Sequence, residues 1–295
     1  MNINRHNNAI SSVAVCGAGS MGRGIALAAL TSGFRVVLYE LQSKTLHQAT
    51  EYIGEQLRKS IAKGRISHDE AKNALGRLCA TEKIADAVGC EIIIEAIIED
   101  IAAKEDLFQE IEESGISETV ILATNTSSLP VSLLGAKRKS PQRFIGLHFF
   151  NPANIMKLVE VVRGARTDEE TTQHAAEFAR ALGKTPAIVR DVPGFIVNRT
   201  ARNYYNEAMR IAVEGAAQPE QIDRIMKAAG FKMGPFELMD LIGNDVNLEV
   251  TKSVWEQYFK EPRFAPSIMQ QEAVDAGNYG RKTGRGFYQY SPDGQ

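Results

Sequence analysis

Short apolar runs alternate with longer segments of helical periodicity over the first two thirds of the chain. Six of the runs are predicted to be strands, at residues 12–16, 35–39, 91–97, 119–123, 143–149 and 157–162. Segments with a helical pattern fill most of the intervals between them. This alternation predicts an α/β fold, in which a mostly parallel sheet is flanked by helices.

The pattern changes at Asp191, Val192 and Pro193. Beyond these residues, four stretches have helical character and none alternates, at 195–213, 219–229, 236–258 and 264–276. In the first of them apolar and aromatic residues recur at intervals of 3 and 4, which is typical of an amphipathic helix with one buried face. We therefore predict two domains, residues 1–191 with the sheet and residues 192–295 all helical.

Composition and charge narrow the possible functions. The 295 residues are 44% hydrophobic and 24% charged, with a net charge of −2, so a globular protein is indicated and nucleic acid is not expected as a partner. No apolar run is long enough to predict a membrane span. Cys16, Cys79 and Cys90 are scattered and no histidine lies at ligand spacing from them. We therefore expect no structural metal site and no disulfide framework, and the cytoplasm as the simplest location.

A glycine motif follows the first predicted strand. Gly17, Gly19 and Gly22 form a GxGxxG sequence between that strand and an alanine-rich helical segment. Gly17 would permit a tight turn, Gly19 would let a pyrophosphate approach the backbone, and Gly22 would let the helix pack closely on the strand. The N–H groups at the start of the helix would then receive the phosphate charge.

An acidic residue, Glu40, ends the second predicted strand. A carboxylate in this place can accept hydrogen bonds from both ribose hydroxyls of an adenosine and would repel a 2′-phosphate, so the predicted cofactor is NAD rather than NADP. The alternative is that the glycines form an ordinary strand–helix turn and that Glu40 is a surface residue.

The segment GLHFFNPANIMKLVE, residues 146–160, places one histidine and one carboxylate in two predicted strands. His148 and Glu160 each lie six residues from Asn154, which is in the turn. If the strands pair antiparallel about this turn, the two residues are opposite each other, with Cβ atoms roughly 4.5–5.5 Å apart. The carboxylate would then orient the imidazole and stabilise its protonated form, as in a catalytic triad. The alternative is a core histidine with the glutamate facing water.

Besides the glycine loop, seven blocks carry a resemblance to a known family. They are EAIIEDIAAKEDLF, NTSSL, GLHFFNP, KLVEVV, DVPGFIVNR, GPFELMDLIGNDV and GRKTGRGFYQY. In this order they resemble the 3-hydroxyacyl-CoA dehydrogenase family, which includes bacterial 3-hydroxybutyryl-CoA dehydrogenases. The resemblance covers essentially the whole chain. It implies a Rossmann-type NAD-binding domain followed by a helical substrate domain that forms a homodimer.

The same resemblance implies a reaction and its catalytic residues. The expected reaction is NAD-dependent oxidation of an (S)-3-hydroxyacyl-CoA, with 3-hydroxybutyryl-CoA as the expected substrate, or the reverse. His148 and Glu160 coincide with the catalytic pair of the family. Ser127 matches the residue that hydrogen-bonds the substrate oxygen and approaches the nicotinamide, and Asn198 matches a substrate contact from the second domain. We also expect Ser128 to cap the helix that follows it.

Five further positions match ligand contacts of the family. Glu99, Lys104 and Lys282 match cofactor contacts, although Lys282 could equally be a solvated side chain. Gln56 and Lys63 match contacts with coenzyme A. A solvent-exposed basic helix explains those two positions equally well.

Several alternatives remain open. The segment EPRFAPSIMQQEAV, residues 261–274, also resembles 3-hydroxyadipyl-CoA dehydrogenases of aromatic degradation, whose dicarboxylate substrate would need a cation at the acyl end. Short-chain β-hydroxyacid dehydrogenases are disfavoured because Gly194 stands where they have a catalytic lysine, and the HFFNP block disfavours a crystallin-like sugar-acid dehydrogenase. A non-catalytic NAD sensor could lack the histidine, the glutamate or the serine, all of which are present.

Overall fold

An eight-stranded sheet forms the centre of the first part of the chain in the computed structural model, which describes residues 10–291. Its strands are β1 (Ser12–Cys16), β2 (Arg35–Tyr39), β3 (Leu78–Thr81), β4 (Ile92–Glu95), β5 (Ile121–Thr124), β6 (Phe144–Phe149), β7 (Leu158–Arg163) and β8 (Thr185–Arg190). They lie in the order β3-β2-β1-β4-β5-β6-β7-β8. Every neighbouring pair is parallel except β6 and β7, so the predicted mostly parallel sheet is confirmed.

Helices cover this sheet. They are α1 (Ser20–Thr31), α2 (Ser43–Ala62), α3 (His68–Gly76), α4 (Ile101–Glu113), α5 (Val131–Ala136) and α6 (Glu169–Ala181). The central strands are buried along their whole length because helices cover both faces of a parallel sheet. Val15, Ile94 and Leu147 of three such strands are fully buried in one core together with Ile25 and Leu30 of α1.

All six predicted strands are present, with ends that differ by up to two residues, but the sequence analysis missed β3 and β8. These are the two outermost strands of the sheet. Three of the six residues of β8 are half-buried or buried and the other three are exposed, while β3 buries only Thr81 fully. A strand at the edge of a sheet has fewer neighbours to bury it, so neither segment contains the continuous apolar run by which a central strand is recognised.

The chain divides into two compact units between Asp191 and Val192, within the segment where the sequence pattern changes. The second unit contains α7 (Val197–Val213), α8 (Pro219–Ala228), α9 (Pro235–Ile242), α10 (Asn244–Gln257) and α11 (Ile268–Asp275). Its own core is built around Tyr205, Met209 and Phe236. The prediction of a helical second domain is confirmed. No helix in the range 10–291 is both long and apolar enough to cross a membrane.

The prediction of a single helix over residues 236–258 is wrong, because Gly243 separates α9 from α10. Gly243 has φ 105°, a left-handed conformation that favours glycine, and a Cβ there would lie 2.8 Å from the side chain of Asp245. The last predicted helix, 264–276, begins only at Ile268. Pro266 precedes that start, and proline disfavours helical backbone in the residue before it.

Candidate active site

The strands β6 and β7 place His148 directly opposite Glu160, as the turn between them predicts. The imidazole Nδ1 lies 2.7 Å from Oε2 of the carboxylate. His148 is 6% exposed and Glu160 is 1% exposed, so this is a buried hydrogen-bonded pair and the carboxylate does not face water. The predicted antiparallel pairing is confirmed.

This geometry determines which ring nitrogen can do chemistry. The N–H group at Nδ1 donates a hydrogen bond to Glu160. Nε2 is therefore the nitrogen that can accept a proton from another molecule. A buried carboxylate at hydrogen-bond distance stabilises the imidazolium that results from such a transfer. The ring of Phe150 lies against the imidazole, with 4.5 Å between ring centroids. The pair can therefore act as a general base with an orienting acid.

Asn125 connects the end of β5 to the end of β6. Its Oδ1 accepts a hydrogen bond of 3.0 Å from the backbone N–H of Phe149, the residue after His148. The loop that follows β5, residues 125–128, carries Ser127. Since parallel strands present their carboxyl ends at one edge of the sheet, this loop, the glycine loop after β1 and His148 near the end of β6 belong to the same edge, where α/β sheets bind ligands.

Glu99 holds that loop through one carboxylate oxygen. Its Oε1 accepts hydrogen bonds from the hydroxyl of Thr126, from the N–H of Ser127 at 2.9 Å, and from the N–H and hydroxyl of Ser128. Burial acts to raise the pKa of Glu99, but the ammonium of Lys104 and the hydrogen bonds from Thr126 and Ser127 outweigh it and hold that pKa below its usual range. A charged carboxylate therefore fixes the backbone that presents Ser127.

Lys104 lies beneath the same loop and is 1% exposed. Its Nζ is 2.5 Å from Oε1 of Glu95 and 3.2 Å from Oε2 of Glu99. Glu95, at the end of β4, is fully buried and also accepts a hydrogen bond of 2.6 Å from the hydroxyl of Thr124. These contacts place Lys104 in a buried network of charges. Its role as a cofactor contact stays a prediction.

The expectation that Ser128 caps the next helix is wrong. Helix α5 begins at Val131, and the carboxylate of Asp191 accepts hydrogen bonds from the N–H groups of Val131, at 3.1 Å, and Ser132, at 2.7 Å. The residue at the N-cap position of α5 is Pro130, and the hydroxyl of Ser128 donates to Glu99. Asp191 is about sixty residues further along the chain, so no local pattern could have identified this cap.

The glycine loop fits the phosphates of a dinucleotide. Gly17 has φ 103°, and a Cβ on it would lie 2.6 Å from the carbonyl oxygen of Ala96, so a larger residue is excluded. A Cβ on Gly22 would overlap the carbonyl oxygen of Gly17. In contrast, a Cβ on Gly19, at the start of α1, would meet no atom within 4 Å. The start of this helix is therefore open to a phosphate group, which its N–H groups would bind.

Glu40 directly follows the end of β2, and its side chain contacts the glycine loop. Its Oε2 accepts a hydrogen bond of 3.0 Å from the N–H of Ala18, and its Oε1 accepts one of 3.1 Å from the N–H of Gln42. The carboxylate is half-buried and is held beside the backbone that would carry the pyrophosphate. This position fits a residue that binds the ribose of an adenosine.

The remaining candidates lie on elements further along the chain. Gln56 is half-buried on α2, and Lys63 is exposed directly after the end of that helix. In the second unit, Asn198 is half-buried in the first turn of α7. Lys282 forms an ion pair of 2.6 Å with Asp245. The ligand contacts expected of these four residues stay predictions. Over residues 10–291, no group of three or more histidine, cysteine or carboxylate side chains could hold a metal ion.

Two family models together match almost the whole chain. The model for the 3-hydroxyacyl-CoA dehydrogenase NAD binding domain matches residues 12–192, and the model for the 3-hydroxyacyl-CoA dehydrogenase C-terminal domain matches residues 194–290. The first match identifies NAD as the cofactor, in agreement with the glycine loop and Glu40.

Individual relatives resemble the chain over most of its length. A 3-hydroxyadipyl-CoA dehydrogenase of Escherichia coli (strain K12) is 42% identical over 95% of this chain, which spans only 59% of that relative. A probable 3-hydroxybutyryl-CoA dehydrogenase of Deinococcus radiodurans is 41% identical, over 94% of this chain and 99% of the relative. The crystal structure of an (S)-3-hydroxybutyryl-CoA dehydrogenase from Ralstonia eutropha matches with a TM-score of 0.92 and 37% identity, over 96% of this chain and all of that one.

Proposed function

The chain belongs to the 3-hydroxyacyl-CoA dehydrogenase family, and we propose that it oxidises an (S)-3-hydroxyacyl-CoA to the 3-oxoacyl-CoA with NAD, or catalyses the reverse reaction. The observation that carries this proposal is the buried His148–Glu160 pair, 2.7 Å apart, at the sheet edge that also carries the glycine loop. The names of the relatives suggest two kinds of acyl chain, one ending in a methyl group and one ending in a carboxylate.

In this mechanism Nε2 of His148 accepts the proton of the 3-hydroxyl group, and Glu160 stabilises the imidazolium through Nδ1. NAD, held by the glycine loop and Glu40, supplies the hydride acceptor when it is bound. In the reverse direction the imidazolium returns its proton to the oxygen of the 3-oxo group. A positioned acid or base of this kind typically contributes roughly 10²–10⁴-fold to the rate.

Two further side chains position the substrate. Ser127 donates a hydrogen bond to the reacting oxygen from a loop that Glu99 and Asn125 hold in place. Asn198, from the first turn of α7, contacts the acyl thioester. Positioning lowers the barrier because the reacting groups no longer have to find one another by diffusion. We place the coenzyme A moiety near Gln56 and Lys63, at the end of α2.

We further propose a homodimer formed through the second unit, in the cytoplasm. Exposed apolar side chains on its helices and loops support the dimer, namely Ile225, Phe231, Leu241 and Val246. Three unpaired cysteines support a reducing compartment. Light scattering at micromolar concentration should give twice the mass of the chain, and a monomer would contradict the dimer.

The test is an NADH-formation assay with a panel of (S)-3-hydroxyacyl-CoA thioesters, including 3-hydroxybutyryl-CoA and 3-hydroxyadipyl-CoA. We expect turnover with NAD and much weaker turnover with NADP, since Glu40 repels a 2′-phosphate. His148→Gln serves as the matched inactive variant. Tight NAD binding without turnover of any thioester would overturn the proposal and would favour a non-catalytic NAD sensor.

A further inference from the structure

A buried arginine lies one helical turn beyond Asn198 on α7. Arg202 is 2% exposed, and its Nε donates a hydrogen bond of 3.2 Å to the carbonyl oxygen of Asn198. Its Nη1 donates to the carbonyl oxygen of Asn247 at 2.7 Å and to the hydroxyl of Thr251 at 2.6 Å. The guanidinium is therefore fixed in one position by two neighbouring elements, α7 and α10.

Every acceptor that Arg202 contacts is neutral. Its other neighbour is the ring of Tyr205, whose centroid lies 5.0 Å from Cζ, and no carboxylate within residues 10–291 forms an ion pair with it. Two other buried cations have such partners, Lys104 in Glu95 and Arg138 in Glu112, whereas the ammonium of Lys184 donates to the backbone carbonyl oxygens of Ala153 and Met156. A buried cation without a counter-ion is costly, and burial lowers the pKa of Arg202 to about 10.

The same cluster has hydrogen-bond donors for which residues 10–291 supply no acceptor. A guanidinium has five N–H donors, and Nη2 of Arg202 makes no hydrogen bond within the part of the chain that the structure describes. Nearby, the amide Nδ2 of Asn247 is buried and has no partner there, while Oδ1 of the same side chain lies 3.4 Å from Nη1 of Arg202. A positive charge with unused donors fits an anion, and the planar fork of a guanidinium matches the two oxygens of a carboxylate.

We propose that Arg202 binds the distal carboxylate of a dicarboxylic 3-hydroxyacyl-CoA, so that the preferred acyl chain ends in a carboxylate rather than a methyl group. This inference rests on the function proposed above, in which Asn198 contacts the thioester. Residues four apart on a helix share a face and lie about 6 Å apart along its axis. In a six-carbon diacid, five C–C bonds of about 1.5 Å separate the thioester carbon from the distal carboxyl carbon, so that carboxylate can reach the next turn. In a butyryl chain the methyl group ends one bond after C3 and leaves the cation without a partner.

The first test compares two unreactive thioesters of equal length on the unmodified enzyme in the presence of NAD. Adipyl-CoA and hexanoyl-CoA both lack the 3-hydroxyl group and differ only at the end of the acyl chain. We expect adipyl-CoA to be the tighter competitive inhibitor by about 10- to 100-fold, the range of a hydrogen bond to a charged group. Equal inhibition, or tighter inhibition by hexanoyl-CoA, would overturn the proposal whatever the variants show.

The second test measures kcat/KM for 3-hydroxyadipyl-CoA and 3-hydroxybutyryl-CoA in variants of α7. Arg202→Gln should lower the adipyl-to-butyryl ratio by about 10- to 100-fold, and Arg202→Lys should keep part of that preference because it retains the charge. The control is Arg210→Gln, which removes an exposed cation of the same helix that is paired with Glu207 at 2.9 Å, and it should leave the ratio unchanged.

The outcomes separate this inference from the function on which it rests. An equal loss with both substrates in a folded Arg202→Gln enzyme would make Arg202 a structural residue and refute the specificity role. If that variant does not fold, the comparison of the two inhibitors on the unmodified enzyme decides whether the distal carboxylate is bound. Turnover of 3-hydroxybutyryl-CoA without any preference for the diacid would refute the inference alone, whereas no turnover of any thioester would refute the proposed function.

Discussion

Two buried pairs of a basic and an acidic side chain lie in the same unit, and their geometries are alike. His148 and Glu160 are 2.7 Å apart, Lys104 and Glu95 are 2.5 Å apart, and both carboxylates are at most 1% exposed. The bases differ, because an imidazole exchanges its proton near neutral pH and an alkylammonium group normally does not. We therefore propose proton transfer for the first pair and anchoring of the loop at residues 125–128 for the second.

The largest effect on turnover should come from His148. Replacement by glutamine keeps a polar side chain of similar length but removes the group that accepts the proton, so kcat should fall by about 10²–10⁴-fold. NAD affinity, measured by fluorescence titration, should stay close to that of the unmodified enzyme because the glycine loop and Glu40 are untouched. A variant that keeps its turnover while binding NAD would remove His148 from the mechanism.

Lys104 should matter mainly for stability. Lys104→Met leaves the buried carboxylate of Glu95 without its cation, so the free energy of unfolding should fall by about 3–5 kcal/mol in urea titrations. The control is the double variant Lys104→Met with Glu95→Gln, which removes both charges and should recover part of the loss. If the single variant is as stable as the unmodified protein, the ion pair does not anchor the loop.

The first pair could be predicted from the sequence and the second could not. His148 and Glu160 lie at equal distances from a turn, and the register of two antiparallel strands then determines that they meet. Lys104 and Glu95 join a helix to a strand, and their contact depends on how α4 packs on the sheet. No periodicity in a single sequence contains that information.

Removal of the carboxylate from the catalytic pair should have a smaller effect than removal of the imidazole. Glu160→Gln keeps a hydrogen-bond acceptor beside Nδ1 of His148 but loses the charge that stabilises the imidazolium. We expect kcat to fall by about 10- to 100-fold, the range of a hydrogen bond to a charged group, with little change in NAD affinity. A loss in NAD affinity that accounts for the whole effect would contradict an orienting role.

The smallest predicted effect is on the pH dependence of stability and concerns Glu99. Its pKa in the folded protein lies below the ordinary value of 4.5, so its charge stabilises the fold above that pH, and the contribution is lost as the pH falls. The stability difference between the unmodified protein and Glu99→Gln should therefore be present at neutral pH and should shrink below about pH 4.5. If Glu99 were not paired as described, urea titrations across that range would show the reverse trend, a stability difference that does not shrink as the pH falls.

The rest of the molecule also divides into features that the sequence predicts and features that only the structure shows. Central strands and amphipathic helices can be predicted from their apolar pattern, and the glycine loop can be predicted from its spacing. The edge strands β3 and β8, the cap that Asp191 provides for α5, and the buried cation Arg202 all depend on contacts between distant segments. A sequence shows that Arg202 follows Asn198 by one turn, but only the structure shows that it is buried without an acid.

The measurement that tests the catalytic pair most directly is a double-mutant cycle on kcat/KM with a 3-hydroxyacyl-CoA substrate. It uses His148→Gln, Glu160→Gln and the variant that carries both changes. If Glu160 acts only through the imidazole, the double variant should be about as slow as His148→Gln alone, since the second change removes nothing further. If the two losses instead multiply in the double variant, Glu160 and His148 act independently, and the pair is not the catalytic unit.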